Sequence, residues 1–305
     1  MQRTFLTRIV NDLSRNRHVY IMAIPMVIYY ILFHYVPMYG AVIAFKHYSP
    51  GLGISNSPWV GFTNFRDFFE NIYFFRLIRN TLLINIKLLL FGFPIPIIFA
   101  ILINEIRATN FRRTVQTISY LPHFISTMVI CGMIIDFTRR DGIIPQILSV
   151  FGVPQSNLLL QAENFHAIYV VSDIWQGMGW NSIIYIAAIM AIDPQLYEAA
   201  EIDGAKRFRK MVHVTLPGIM QTIIILLILR VGQIMSLGFE KIILLYNPNT
   251  YETADVISSY VYRKGLIDFN YSYSTAVGLF NSIINFAFLL FANTLSRKLN
   301  ETSLW

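Results

Sequence analysis

The sequence predicts an all-α integral membrane protein with six spanning helices, and three observations lead there. Of its 305 residues, 55% are hydrophobic and only 13% charged, with a mean hydropathy of +0.52. A soluble domain carries about 25% charged residues, so this composition suits a chain immersed in lipid. Six apolar runs, at about 19–37, 80–103, 119–137, 166–191, 217–237 and 275–295, are long enough to cross about 30 Å of hydrocarbon at roughly 1.5 Å per residue. Lys and Arg are about twice as dense in the segments on one side of these runs as on the other, which assigns that side to the cytoplasm. The sequence pI near 9.4 does not point to nucleic acid, because the basic residues are scattered between apolar runs. The one cysteine, Cys131, lies inside such a run, which excludes an internal disulfide and argues against redox chemistry.

Residues 1–18 carry Arg3, Arg8, Arg15 and Arg17 ahead of a run too long and bulky for a secretory signal. They are expected to be a cytoplasmic segment before a retained first span. Residues 61–78 mix Phe with scattered charge and predict an amphipathic helix at the outer interface. Pro94 and Pro96 in the second span and Pro122 at the start of the third remove backbone donors and predict kinks. Residues 246–274 hold six tyrosines around the turn signal Asn247-Pro248-Asn249. That outer segment is either a surface for a partner or substrate, or an aromatic belt at headgroup level. Six spans return the tail, 296–305, to the cytoplasm, and the domain between the ends runs over 19–295.

The longest polar interruption with helical patterning is Asp193–Pro217, an interior loop between spans four and five. Asp193 is suited to cap a helix and Pro194 to its first position. No breaker follows until Gly204, which permits a left-handed stop. Beyond it, Phe208, Met211, Val212 and Leu216 are expected to share the apolar face of a second helix. The loop is thus shaped for another molecule to hold.

Catalysis by this chain is not expected. No phosphate-binding loop, H-E-x-x-H pair or G-x-S-x-G elbow occurs, and the six histidines are far apart. No metal ligands and no catalytic residues are assigned, and energy for uphill transport must come from an ion gradient or another subunit. Polar groups inside spans are costly in lipid and turn toward protein or water. Trp175, Gln176, Asn181 and Tyr185 in span four, Arg230 and Gln233 in span five, and Asn281 and Asn285 in span six are candidates for a substrate pathway. Amides and hydroxyls hydrogen-bond sugars and an aromatic ring stacks on a sugar face. The same residue types also serve as helix–helix glue. Arg230 and Lys87 either snorkel to the outer interface or form a cationic site for an acidic substrate.

Glu198-Ala199-Ala200, three residues, Gly204, nine residues, then Val214-x-Leu216-Pro217 resembles the EAA loop of permease subunits of ATP-binding-cassette importers. Asp203 and Ala205 extend the match. Val60–Phe65, Phe111-Arg112-Arg113 with Leu121-Pro122, and Asp141-Gly142-Ile143-Ile144 resemble other pieces of the same family in order. The resemblance covers nearly the whole chain and is closest to the polysaccharide, LplB-like branch of carbohydrate permeases, with alginate or pectin fragments among the substrates. It implies the type I importer architecture with a cytoplasmic coupling helix, in a bacterial inner membrane. It implies a second permease subunit, two ATPase subunits that bind the ATP and Mg, and an extracytoplasmic binding protein that delivers an oligosaccharide. Glu198, Ala199, Ala200, Asp203, Gly204, Leu216 and Pro217 would then couple to the ATPase. A gradient-driven secondary transporter is the alternative, though such chains often show repeats and buried carboxylates that are scarce here.

Overall fold

The computed structural model describes residue 12, residues 15–300 and residues 303–304, with side chains to 298 in the last helix. Arg3 and Arg8 of the expected N-terminal segment, and part of the tail, lie outside the described residues. Helix α1 runs over Arg17–Phe45, α2 over Thr63–Phe69 and α3 over Phe74–Asn104. Then come α4 (Thr109–Tyr120), α5 (Thr127–Thr138), α6 (Ile143–Val150) and α7 (Phe165–Met190). The remainder comprises α8 (Pro194–Ile202), α9 (Arg207–Gly218), α10 (Met220–Val231), α11 (Phe239–Leu245), α12 (Ile257–Tyr262) and α13 (Tyr271–Asn300). Among the described residues, three helices are long and apolar enough to cross a membrane, or six if each of three bent pairs counts as one span.

The core has three centres. Ile84, Ile130, Phe165, Tyr169 and Ile242 join α3, α5, α7 and α11. Phe68, Leu77, Ile257, Tyr260 and Val277 join α2, α3, α12 and α13. Ile97, Ala100, Tyr185, Ile189 and Ile219 join the later half of α3 to α7 and the start of α10. By contrast, α1 is exposed from Arg17 to Met38 and meets the body mainly through Tyr39–Phe45, which packs along α13.

Prolines shape three helices in one way. A widened turn, closed by an i→i−5 bond, occupies Ile31–Tyr35, Leu88–Gly92 and Met211–Thr215. Each ends two residues before a proline, Pro37, Pro94 or Pro217. A proline ring collides with the carbonyl four residues back and offers it no donor, and the wider turn moves that carbonyl aside.

Three expectations need correction. The apolar run 119–137 is not one helix. The segments Thr109–Phe124 and Thr127–Val150 meet at 99°. Pro122 sits in a tight turn, and the Ser126 hydroxyl caps α5 by accepting from Val129 N at 3.4 Å. Residues 61–78 are not one amphipathic helix either. α2 stops at Phe69, Asn71 Oδ1 accepts from Tyr73 N at 2.9 Å, and Phe74 begins α3. The run 217–237 is not one helix: α9 ends at Gly218, α10 covers Met220–Val231 at 59° to it, and Asn285 of α13 bonds the turn beyond. Asn285 Oδ1 accepts from Met235 N at 2.9 Å and its Nδ2 donates to Ser236 Oγ at 2.8 Å.

The tyrosine-rich segment is knit into the body around Asp255, which is fully buried. Its carboxylate accepts from Arg263 Nη2 at 2.7 Å, Arg76 Nη2 at 3.3 Å and Ser259 Oγ at 2.8 Å. Asn80 of α3 donates to the carbonyls of Glu252 and Asp255 at 2.9 and 3.0 Å. Of the six tyrosines, Tyr260 and Tyr273 are buried with their hydroxyls 3.1 Å apart, and the rings of Tyr246 and Tyr251 flank Arg263.

Candidate functional site

The first candidate surface is the loop between α7 and α10. Asp193 caps α8, its carboxylate accepting from Gln195 N at 2.9 Å, and Pro194 holds the first position. The other end closes as a complete Schellman turn. Ala205 N donates to Ala200 O at 2.8 Å and Gly204 N to Glu201 O at 3.0 Å, with Gly204 at φ +73°. Two contacts then brace α8 against α9. Lys210 Nζ donates to Glu201 at 2.7 Å, and the Tyr197 and Thr215 hydroxyls are 3.0 Å apart. The Lys210 hydrogen bond holds the exposed Glu201 carboxyl below its ordinary range.

This braced pair turns apolar groups outward. Leu196, Ile202 and Phe208 are 55%, 88% and 73% exposed, beside the exposed Glu198, Ala199 and Asp203. Ala200 and Leu216 are half-buried and Pro217 is exposed. Of the four residues expected on one apolar face of α9, Phe208 and Val212 are exposed while Met211 and Leu216 are half-buried. The widened turn at Met211–Thr215 slips the register, and the inward positions are Met211, Val214, Thr215, Leu216 and Ile219.

The second candidate is a cavity of about 520 Å³ among α3, α7 and α10. Asn181, Tyr185, Arg230 and Gln233, from two of the three candidate spans, meet in its wall with Asp173, Trp180 and Phe93. Arg230 Nη2 reaches Asn85 Oδ1 of α3 at 3.4 Å. Asn85 is buried and held by its own donation to Thr81 O at 3.0 Å. Asp173 Oδ1 lies 3.6 Å from Lys241 Nζ of α11. The Lys241 side chain is 7% exposed, and burial pushes its pKa down while Asp173 opposes that. Trp180 stacks on His123 with ring centres 4.5 Å apart and planes 4° from parallel. That stack exists because α4 comes close to α7 at Gly179, where a Cβ would collide with the Ser119 carbonyl.

The other candidates fall elsewhere. Trp175 lines an apolar groove of about 430 Å³ with Ile130, Phe137 and Val171, and Gln176 is half-buried and lines neither space. Asn285 is the clamp on the end of α10, and Asn281 has its Oδ1 buried without a hydrogen-bond partner. Lys87 is not in the cavity wall: its ammonium donates to His166 Nδ1 at 3.0 Å, while Nε2 of that ring donates to Thr253 O at 2.8 Å. Sequence reasoning missed Trp180 as a wall residue. A stripe signal was available, since Asp173, Gly177, Trp180, Asn181 and Ile184 recur at i, i+4, i+7, i+8 and i+11. Among the described residues no group of three or more His, Cys, Asp or Glu is placed to hold a metal ion.

With this geometry in hand, three comparisons carry weight. Protein LplB of Bacillus subtilis (strain 168) is 44% identical over 294 residues, covering 96% of this chain and 92% of that protein. The polygalacturonan/rhamnogalacturonan transport system permease protein YteP of the same strain is 43% identical over 299 residues, covering 98% and 93%. The crystal structure of a bacterial alginate ABC transporter, in complex with its alginate pentasaccharide-bound periplasmic protein, contains a chain that superposes with a TM-score of 0.88 at 44% identity. The match covers 97% of this chain and 100% of that one. Residues 92–301 match the model of one family, and the chain belongs to it: the binding-protein-dependent transport system inner membrane components.

Proposed function

We propose that this chain is the permease subunit of an ATP-driven importer that moves an oligosaccharide, acidic ones included, from an extracytoplasmic binding protein into the cytoplasm. It pairs with a second, homologous permease, and two partner ATPase subunits bind the ATP and Mg. The assembly sits in a bacterial inner membrane, with both termini of this chain in the cytoplasm. The spans are the runs given above, adjusted to the helix ends.

The observation that carries this reading is the braced, outward-turned α8. Ala199 lets a partner groove approach closely, and Leu196 and Ile202 offer apolar contact beside the Glu198 charge. A helix fixed at both ends moves as a body. Displacement of α8 by a closing ATPase pair therefore passes through Lys210 and Tyr197 to α9, and on to α10, which bears Arg230 in the cavity wall and leads into the turn that holds Gln233. In that wall Asn181 and Gln233 offer amide donors and acceptors to sugar hydroxyls, Trp180 an aromatic face, and Arg230 a guanidinium for a carboxylate.

The test uses the complete complex in proteoliposomes with its binding protein. Glu198→Lys is expected to abolish uptake while the chain still inserts, and normal uptake would sink the coupling role. Arg230→Gln is expected to lower uptake of an acidic oligosaccharide more than that of a neutral one. An equal loss on both would remove the cationic site.

A further inference from the structure

One feature of the cavity wall is not needed to carry an acidic sugar and works against it. Asp173 faces the same space as Arg230, with its side chain 45% exposed. A carboxylate there repels an anionic solute. It cannot easily turn aside, because it is the counter-charge of Lys241. That ammonium is buried, forms no hydrogen bond, and has the face of the Tyr169 ring 5.0 Å away. A buried ammonium left without its carboxylate is strongly unfavourable, so Lys241 anchors Asp173 in place. Lys241 itself is not in the wall, and the cavity therefore meets the negative end of the pair.

We infer that Asp173, positioned by Lys241, is a specificity-determining residue that selects oligosaccharides combining carboxylate-bearing and uncharged rings over those with a carboxylate on every ring. Arg230 takes one carboxylate, and Asp173 accepts hydrogen bonds from the hydroxyls of an uncharged ring but repels a second anion. The inference rests on the reading of this cavity as the substrate pathway.

Methyl esterification neutralises a sugar carboxylate with little change of shape, so trigalacturonate and its partial methyl ester are the probes. Uptake of each is measured in proteoliposomes holding the full complex, with the binding protein saturated. Asp173→Asn alone strands the Lys241 charge, so the double variant Asp173→Asn with Lys241→Met is made beside it. Both are expected to shift the uptake ratio toward the free acid by about threefold to tenfold relative to wild type, the size of one relieved charge repulsion in a partly solvated site. An unchanged ratio in the double variant, or a shift toward the ester, overturns the inference. Asn181→Trp, which fills the cavity, separates the two levels. If it stops uptake of both probes and the double variant leaves the ratio unchanged, the charge filter alone is wrong. If uptake survives Asn181→Trp, the cavity is not the pathway and the filter falls with it.

Discussion

Gly204 holds φ +73° with open space where a Cβ would point, so a side chain there meets backbone strain and no clash. A residue with a Cβ in that conformation costs about 1–2 kcal/mol, and Asn tolerates it best. Gly204→Asn is therefore expected to keep most of the uptake and Gly204→Val to lose it, at equal membrane content by immunoblot. The sequence showed this position clearly, because a cap, a breaker and the bonds between them lie within one turn of each other. Asp255 was hidden by contrast. It reads as one more loop acid, yet it is fully buried and takes two arginines from distant parts of the chain. Asp255→Asn is expected to cost about 3 kcal/mol, the lower end for a broken buried pair because both arginines stay partly exposed, and to lower the unfolding midpoint in detergent. The Glu201–Lys210 bond has a pH signature of known sign. The depressed carboxyl stabilises the brace above its unfolded pKa, and the effect is lost as pH falls through the folded value. Lys210→Met should flatten that acid dependence in a pH series of melting curves.

At the scale of elements, the break after Pro122 was foreseen from proline, but the widened turns were not. The widened turns before Pro37, Pro94 and Pro217 change the register of everything beyond them. That is why Leu216, beyond the turn, is half-buried while Phe208, which simple periodicity puts on the same face, is exposed. Pro217→Ala removes the need for the wide turn at Met211–Thr215 and lets it close toward α-geometry, which rotates α8 and α9 relative to α10. The expected result is uncoupling: the complex hydrolyses ATP at near the wild-type rate while uptake falls severalfold. Equal loss of both activities would mean that the turn serves only stability. The apolar run 119–137 shows the opposite limit. Hydropathy sums composition and is blind to a break made by one proline and one serine cap, so it merged two helices that meet at 99°.

For the whole molecule, the energy source is the discriminating measurement. Uptake should vanish from proteoliposomes lacking the ATPase subunits and persist with an uncoupler when ATP is present; the reverse pattern would favour a gradient-driven carrier. Composition, the apolar runs, the charge bias and the capped loop were legible in the sequence because each is a sum or a short-range pattern. They determined by themselves an all-helical membrane protein with a presented loop, and the spacing within that loop carried the family. The cavity was only half legible. Asn181, Tyr185, Arg230 and Gln233 were named from their chemistry, and the fold brings them together. Trp175 and Trp180 are chemically alike, and which one faces the cavity depends on how α7 is rotated. That rotation is set by the close approach at Gly179 and by α3 and α10 packing from far along the chain. The partner of Asp173, the burial of Asp255 and the bonds of Asn285 to the turn after α10 are likewise contacts between distant segments. Only the tertiary structure could decide them, because helix periodicity states that a face exists and packing alone states what it meets.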